Sequence, residues 1–252
     1  MKLWQVRRHW DALANEDPFW AVLTESQKQG NRWAIDEFFA TGVAEVEKDL
    51  AGIRAVAPGL RLGRALDFGC GAGRLTQALG RHFSRATGVD ISERMVALAR
   101  EHCAGANVEF VHNARPDLRL FPDGSFDLVY SRITLQHIAP AYTRRYLGEF
   151  ARVLAPGGVL SVQIPDRVPA GDPPDRLRFS LWPPTMWMRM KRHVRYHHPG
   201  WFPDTPKMQM YALPRDEVAS LIRAAGADLL SAEKGDHGAV DNYVYLARKP
   251  AP

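Results

Sequence analysis

The order of apolar and polar positions divides the chain into a helical stretch followed by short strands and helices in alternation. Val43, Val46, Leu50 and Ile53 step by three, four and three residues, which places them on one face of a helix that ends before Pro58-Gly59. Upstream, Asp17-Pro18 followed by Phe19, Trp20, Val22 and Leu23 predicts a helix start with Asp17 as N-cap and Pro18 at N1. Residues 1–57 therefore read as a helical N-terminal extension. Its aromatics Trp10, Trp20, Trp33, Phe38 and Phe39 are expected to pack apolar surface or to roof a pocket.

From Arg64 the period changes. Runs at 65–68, 86–89, 108–111, 126–130 and 159–164 predict strands. Between them, helices are predicted through Leu75, Ala78 and Leu79, over 92–102, and over 141–153 with Tyr142, Tyr146, Phe150 and Val153 on one face. The last third predicts a helix from Leu213 to a C-cap glycine at Gly226, then strands over 229–233 and 242–248. Strict alternation implies a parallel sheet with helices on both faces, which binds ligands beyond the carboxyl ends of its strands. Asp90, Asn113 and Ser131 each fall at or just after such an end.

Composition narrows the class without changing that picture. A chain of 252 residues with 46% hydrophobic and 24% charged residues suits one globular domain with an insertion. The basic N-terminus leads into no apolar h-region, and no apolar run approaches the roughly 18 residues of a membrane span. Two cysteines, Cys70 and Cys103, fit a reducing compartment, so the expected location is cytoplasmic.

The candidate chemistry starts at the first predicted strand, where Asp67-Phe68-Gly69-Cys70-Gly71-Ala72-Gly73 reads D-x-G-x-G-x-G. Arg74 stands where a dinucleotide fingerprint starting at Gly69 needs its third glycine, and no G-K-[ST] follows for a P-loop. The strand-end carboxylate would repel a pyrophosphate but suits a cation or an ammonium group. The loop is expected to cradle a small molecule.

Five motifs then fall in order: Leu66 to Arg74; Gly88-Val89-Asp90-Ile91-Ser92-Glu93-Arg94-Met95; Asp123-Gly124-Ser125-Phe126-Asp127-Leu128-Val129; Leu135-Gln136-His137-Ile138; and Glu149 to Gly158. With this set the chain resembles a class I S-adenosylmethionine-dependent methyltransferase of the small-molecule type, strongly over residues 60–165 and moderately over 210–249. The resemblance implies a Rossmann-like α/β fold, a seven-stranded mostly parallel sheet closed by a reversed hairpin, with residues 58–252 as the methyltransferase domain. It implies S-adenosyl-L-methionine as cofactor and S-adenosyl-L-homocysteine as product. Asp90 would take both ribose hydroxyls, a bidentate task suited to a carboxylate. Ile91 and Met95 would cover the adenine, and Asn113, beside Ala114, would accept its amino group, with Asp117 as competitor. Gly69, Cys70, Gly71 and Gly73 would carry the methionine part, its ammonium near Asp67, while Ser131 ends the fourth strand nearby. A general base is needed only for a nucleophile that must lose a proton, and His137 is the candidate, against its being a packed side chain bonded to backbone.

The segment 166–208 is expected to be an inserted substrate cap. Between Arg176 and Pro203 it holds no Asp or Glu, while Arg176, Arg178, Arg189, Lys191, Arg192 and Arg195 interleave with Phe179, Trp182, Trp187, Trp201 and Phe202. Three readings stay open: a cap selecting an anionic or aromatic small-molecule substrate, contact with an anionic membrane surface or carrier, or a solvated basic face. No RNA-binding module accompanies it, which disfavours nucleic acid. His193, His197 and His198 lack an H-E-x-x-H glutamate or a cysteine pair, so no metal is expected. The alternatives to methyl transfer are another use of the same cofactor, such as cyclisation or alkyl transfer, and a cofactor-binding regulator.

Overall fold

Short apolar runs become the strands of one sheet because each can be covered from both sides. The computed structural model describes residues 1–103, 105–167, 208–235 and 241–251. Its strands are β1 (Arg64–Phe68), β2 (Arg85–Asp90), β3 (Val108–His112), β4 (Phe126–Ser131), β5 (Leu154–Pro165), β6 (Asp228–Lys234) and β7 (Asn242–Arg248). The helices are α1 (Leu3–Glu16), α2 (Pro18–Val22), α3 (Ile35–Val56), α4 (Arg74–Leu79), α5 (Glu93–His102), α6 (Pro140–Val153) and α7 (Arg215–Ala224). The seven strands lie in the order β3-β2-β1-β4-β5-β7-β6. All neighbours are parallel except β7, which runs antiparallel to both β5 and β6. The expected mostly parallel sheet with its closing hairpin is the observed one, and the N-terminal helices are present.

Each face has its own core. On one, Val46, Leu50 and Ile53 of α3 meet Leu75 and Leu79 of α4 over Ala65, Leu128 and Tyr130. On the other, Tyr146, Leu147 and Phe150 of α6 join Val218 and Ile222 of α7 over Leu66, Val129 and Val162. Burying Val46, Leu50 and Ile53 contributes on the order of 5 kcal/mol to holding α3. Two ion pairs one turn apart on α3 reinforce the contact: Glu45 with Arg74 and Asp49 with Arg132, both at 2.8 Å. The helices meet closely because Gly42 has no side chain; a Cβ there would lie 2.4 Å from the Arg74 carbonyl oxygen.

Several local expectations change. Pro18 does start α2 with Asp17 at the N-cap position, but the Asp17 side chain makes no cap bond; its Oδ2 accepts from Gly30 N at 2.6 Å and Asn31 N at 2.9 Å, whose left-handed backbones aim both N–H groups at it. No helix forms between β3 and β4, so the alternation fails at 113–125. The Pro156-Gly157-Gly158 turn lies inside β5 as an irregularity in its pairing with β4, rather than before the strand. Lys249 Nζ donates to the Ala151 and Leu154 carbonyls at 2.9 and 2.8 Å, satisfying acceptors at the C-terminal end of α6. Gly226 follows α7 with a φ of 85°, as its reading as a cap predicts. The basic aromatic stretch 176–203, with its histidines, lies outside the described residues. Among the described residues no helix is long and apolar enough to cross a membrane.

Candidate functional site

The chain leaves β1, builds outward to β3 and returns to the other side of β1 as β4, so the strand order reverses between β1 and β4. A cavity of about 800 Å³, counting the space open at its mouth, lies there. Its lining is mainly apolar, and two ends can be told apart by the segments that supply them.

At one end stand Gly69 and Gly71 of the β1–α4 loop, Asp90 and Ile91 after β2, Met95 of α5 and Asn113 after β3. The loop is tied to β2, with Gly69 N and Cys70 N donating to the Val89 carbonyl at 2.8 and 3.2 Å. Gly69 and Gly71 have φ of 77° and 51°, a region that penalises side chains. A Cβ at Gly69 would lie 2.1 Å from Thr134 Cγ2, and one at Gly71 would lie 2.7 Å from Val22 Cγ2. The space freed by the missing side chains is thus shared by the cavity and this chain's own packing. Asp90 Oδ2 accepts from Gly71 N at 2.9 Å and Oδ1 from Ser92 N at 2.8 Å. Burial pushes the Asp90 carboxyl above the usual carboxylate range, against these N–H groups, which hold it down. Each oxygen retains acceptor capacity, so a carboxylate on the cavity wall can still take hydroxyl donors. Asn113 Oδ1 accepts from Arg115 N at 3.0 Å while its Nδ2 donates to the Asp117 carbonyl at 2.7 Å.

The remaining predicted residues lie around this end without lining the cavity. Asp67 is 1% exposed behind the loop and accepts the Thr76 hydroxyl at 2.6 Å. Burial pushes its carboxyl up to about 7, while the Thr76 hydrogen bond and the Arg74 guanidinium oppose that shift. Cys70 is buried, and burial pushes its thiol well up, so it is an inert packing group. Gly73, with a φ of 88°, leads into α4 beside Cys103. Ala114 is exposed, and Ser131 is spent on the Phe68 carbonyl at 2.9 Å. The competitor Asp117 is turned away into an ion pair with Arg145 at 3.2 Å.

The other end is assembled from distant segments. Leu3, Val6 and Trp10 of α1 line it together with Ile133, Thr134, His137 and Ile138. Ile133 is β-branched yet has a φ of 56°, a strained conformation, and its N–H donates to Gln163 Oε1 at 3.1 Å. Beside it, Arg132 gives its guanidinium to Asp49, to the Ser131 and Ser161 carbonyls and to Ser161 Oγ, at 2.8–3.1 Å. All five N–H groups are used and the charge is paired, so Arg132 acts as structure in the wall rather than as a free cation. His137 Nδ1 lies 3.0 Å from the Gln209 carbonyl and must donate to it, which leaves Nε2 to accept from Gln136 Nε2 at 3.1 Å. Trp10 meets the ring edge-on at a centroid distance of 5.3 Å. Burial pushes the imidazole down to about 4, partly offset by the Gln209 carbonyl.

Sequence reasoning did not place Leu3, Val6, Val22, Arg132, Ile133 or Tyr146 at a site. Trp10 alone of the roof candidates lines the cavity, while Trp20, Trp33 and Phe38 pack together under the loop at Ala72. Helical periodicity in Leu3, Val6, Leu13 and Ala14 was the signal available for α1. Among the described residues no group of three metal-ligating side chains gathers.

Residues 65–158 match a family model described as a methyltransferase domain. Curated relatives include phosphoethanolamine N-methyltransferase 3 of Arabidopsis thaliana, 34% identical over 55% of this chain and 28% of the relative. A ubiquinone biosynthesis O-methyltransferase of Xanthomonas campestris is 32% identical over 50% of this chain and 51% of the relative. A trans-aconitate 2-methyltransferase of Acidovorax is 37% identical over 51% and 48%. The chain spans about half the length of these relatives or less. Among solved structures, a magnesium protoporphyrin IX methyltransferase of Synechocystis with bound SAH superposes with a TM-score of 0.60 at 17% identity, covering 97% of this chain and 98% of that one. A [4+2]-cyclase, SpnF, superposes with a TM-score of 0.63 at 18% identity, covering 100% and 98%. At these identities the structural likeness shows the fold alone.

Proposed function

From the premise that the chain carries a class I S-adenosylmethionine-dependent methyltransferase domain, we propose that it moves a methyl group to an O, N or C nucleophile of a small metabolite. The observation that carries this reading is one cavity with two differently built ends, the first lined by Gly69, Gly71, Asp90, Ile91, Met95 and Asn113. When bound, S-adenosylmethionine supplies a methyl group already activated on a sulfonium. Asp90 holds the ribose through its spare acceptor capacity, Ile91 and Met95 flank the adenine, and Asn113 takes its amino group through Oδ1. The backbone of Gly69 to Gly73 carries the amino-acid end. Asp67 and Cys70 support that loop from behind, and Ser131 pins the Phe68 carbonyl beside it.

The opposite end then receives the acceptor. Its apolar walls exclude water, and positioning of this kind supplies much of what an in-line displacement needs. His137 is the acceptor-side group, and magnitudes decide how it acts. Moving a proton from a phenol of pKa about 10 to an imidazole near 4 is uphill by about 8 kcal/mol. His137 therefore orients the nucleophile by accepting its hydrogen bond at Nε2 in place of the Gln136 amide, rather than stripping it fully before transfer. We assign residues 1–57 to the roof of this domain and 166–208 to acceptor selection. The relatives' names span N- and O-methylation and phosphorylated, quinone-precursor and carboxylate chemistry, which supports a small-molecule acceptor without choosing among them.

Because the same fold also serves a [4+2]-cyclase, the test is product analysis. Incubating the chain with S-adenosylmethionine and panels of phenols, amines and carboxylates is expected to release S-adenosylhomocysteine in step with a methylated acceptor. Release of methylthioadenosine, or turnover that leaves the cofactor intact, overturns the methyl-transfer reading.

A further inference from the structure

The Asp90 carboxylate is held from two sides, and the second side begins on α1. Asp11 Oδ1 accepts the Ser92 hydroxyl at 2.7 Å. Ser92 Oγ in turn accepts from Met95 N at 3.1 Å as the N-cap of α5, and Ser92 N donates to Asp90 Oδ1 at 2.8 Å. Asp90 Oδ2 completes the path at Gly71 N, 2.9 Å away in the glycine loop. A short line of hydrogen bonds thus runs from α1 to the loop, through a serine that is wholly buried.

The chemistry leaves Ser92 little freedom. Its hydroxyl has one proton, and Asp11 is the acceptor that takes it. Without Asp11, a buried donor must go unpaired or turn elsewhere, and the Ser92 turn that presents its N–H to Asp90 loses an anchor. The helix that carries Asp11 also carries Leu3, Val6 and Trp10 to the far end of the cavity, where Trp10 meets His137. Docking of α1 therefore bears on both ends at once. Arg7 pairs with the other Asp11 oxygen, Oδ2, at 3.4 Å within α1, and with Glu93 of α5 at 3.2 Å, a separate surface tether between the two helices.

We propose that Asp11 is a positioning residue for the cofactor site: through Ser92 it fixes Asp90, so that seating α1 over the cavity and gripping the ribose are one coupled event. The proposal rests on the cofactor reading above. By linkage the coupling is reciprocal, so a ligand held by Asp90 must also hold α1 in place.

The test is calorimetric titration of the full chain with S-adenosylhomocysteine, with hydrogen exchange of α1 measured with and without it. The ligand is expected to slow exchange across α1 in the parent. Asp11→Ala is expected to weaken binding about tenfold and to lose that protection. Asp11→Asn restores both, because its amide oxygen accepts the same proton. Arg7→Ala, which cuts only the surface pairs, binds as the parent does. Parent-like affinity in Asp11→Ala with a lowered melting temperature means a merely structural role and overturns the proposal. So does failure of Asp11→Asn to rescue, or α1 exchange in the parent that ignores the ligand. A parent that does not bind at all overturns the cofactor reading, an outcome distinct from a parent that binds with α1 uncoupled.

Discussion

The two ends of the cavity are built by opposite strategies. The Asp90 end is made almost entirely from three strand ends and the turns after them, β1, β2 and β3, each contributing residues close in sequence to its own strand. The His137 end draws on α1, on the strained turn after β4 and on the Gln209 carbonyl, which lies 72 residues from the histidine it orients. Backbone N–H groups dominate the first, at Gly71 and Ser92; apolar side chains dominate the second. A backbone-built site tolerates little change in its glycines yet can recur in many chains. A side-chain-built site can be re-cut for each acceptor without disturbing the first.

The largest effects expected from this contrast are in pH dependence. Asp67 holds its proton in the fold up to about 7 but releases it near 3.8 when unfolded. The native state therefore binds the extra proton in that window, and the stability this group allows at low pH is lost as pH rises through it. Asp67→Asn should remove a loss of up to about 4 kcal/mol, read as a growing stability advantage over the parent in urea melts as pH rises from about 4 to 8. His137 has the opposite sign, because its pKa is lowered from 6.5 to about 4. Its contribution is present above 6.5 and lost as pH falls toward 4, so His137→Gln should remove up to about 3 kcal/mol of acid sensitivity. Two difference curves with the same slope would break the contrast.

Next in size is the division of binding. Asp90→Ala should weaken S-adenosylhomocysteine binding about 100-fold, or about 2.7 kcal/mol, by calorimetry. His137→Gln should leave that affinity within a factor of about two and lower kcat less than about tenfold, as removal of an orienting hydrogen bond does. A loss of several thousandfold would instead make His137 an obligatory base. The smallest effect belongs to Ile133→Gly, which relieves a left-handed β-branched residue by about 1 kcal/mol while removing apolar wall. Its melting temperature should stay near the parent's while the acceptor KM rises, because the strain lies at the His137 end, where the acceptor is proposed to bind.

Much of the Asp90 end could be read before the structure because its information is local. Strand, glycine loop and following carboxylate occupy consecutive positions, and the alternation of strands and helices sets which strand ends meet. Limits arose where an atom's partner lies elsewhere in the chain. Asp67 looks like a ligand group in the motif, but Thr76 on α4 claims it. Asp17 does hold the N-cap position of α2, but the N–H groups of Gly30 and Asn31 take its side chain. Asp117 competes with Asn113 on paper and is removed by Arg145. The segment between β3 and β4 carries no helix, so the strict alternation read from the pattern breaks there.

By itself, then, the sequence determined the doubly wound sheet and the position of the glycine loop and Asp90 at its reversal point, while the reversed hairpin was implied only by the family resemblance. The sheet and the loop position follow from periodicity and from backbone rules that act over a few residues. Only the tertiary structure decided that α1 lines the cavity, that Arg132 is fully paired by Asp49, Ser131 and Ser161, that His137 is buried and pinned, and that Asp11 reaches Asp90 through Ser92. Each of those depends on desolvation and on contacts between residues far apart in the chain. Burial sets proton affinity and hydrogen-bond partnership, and burial exists only once the chain has folded.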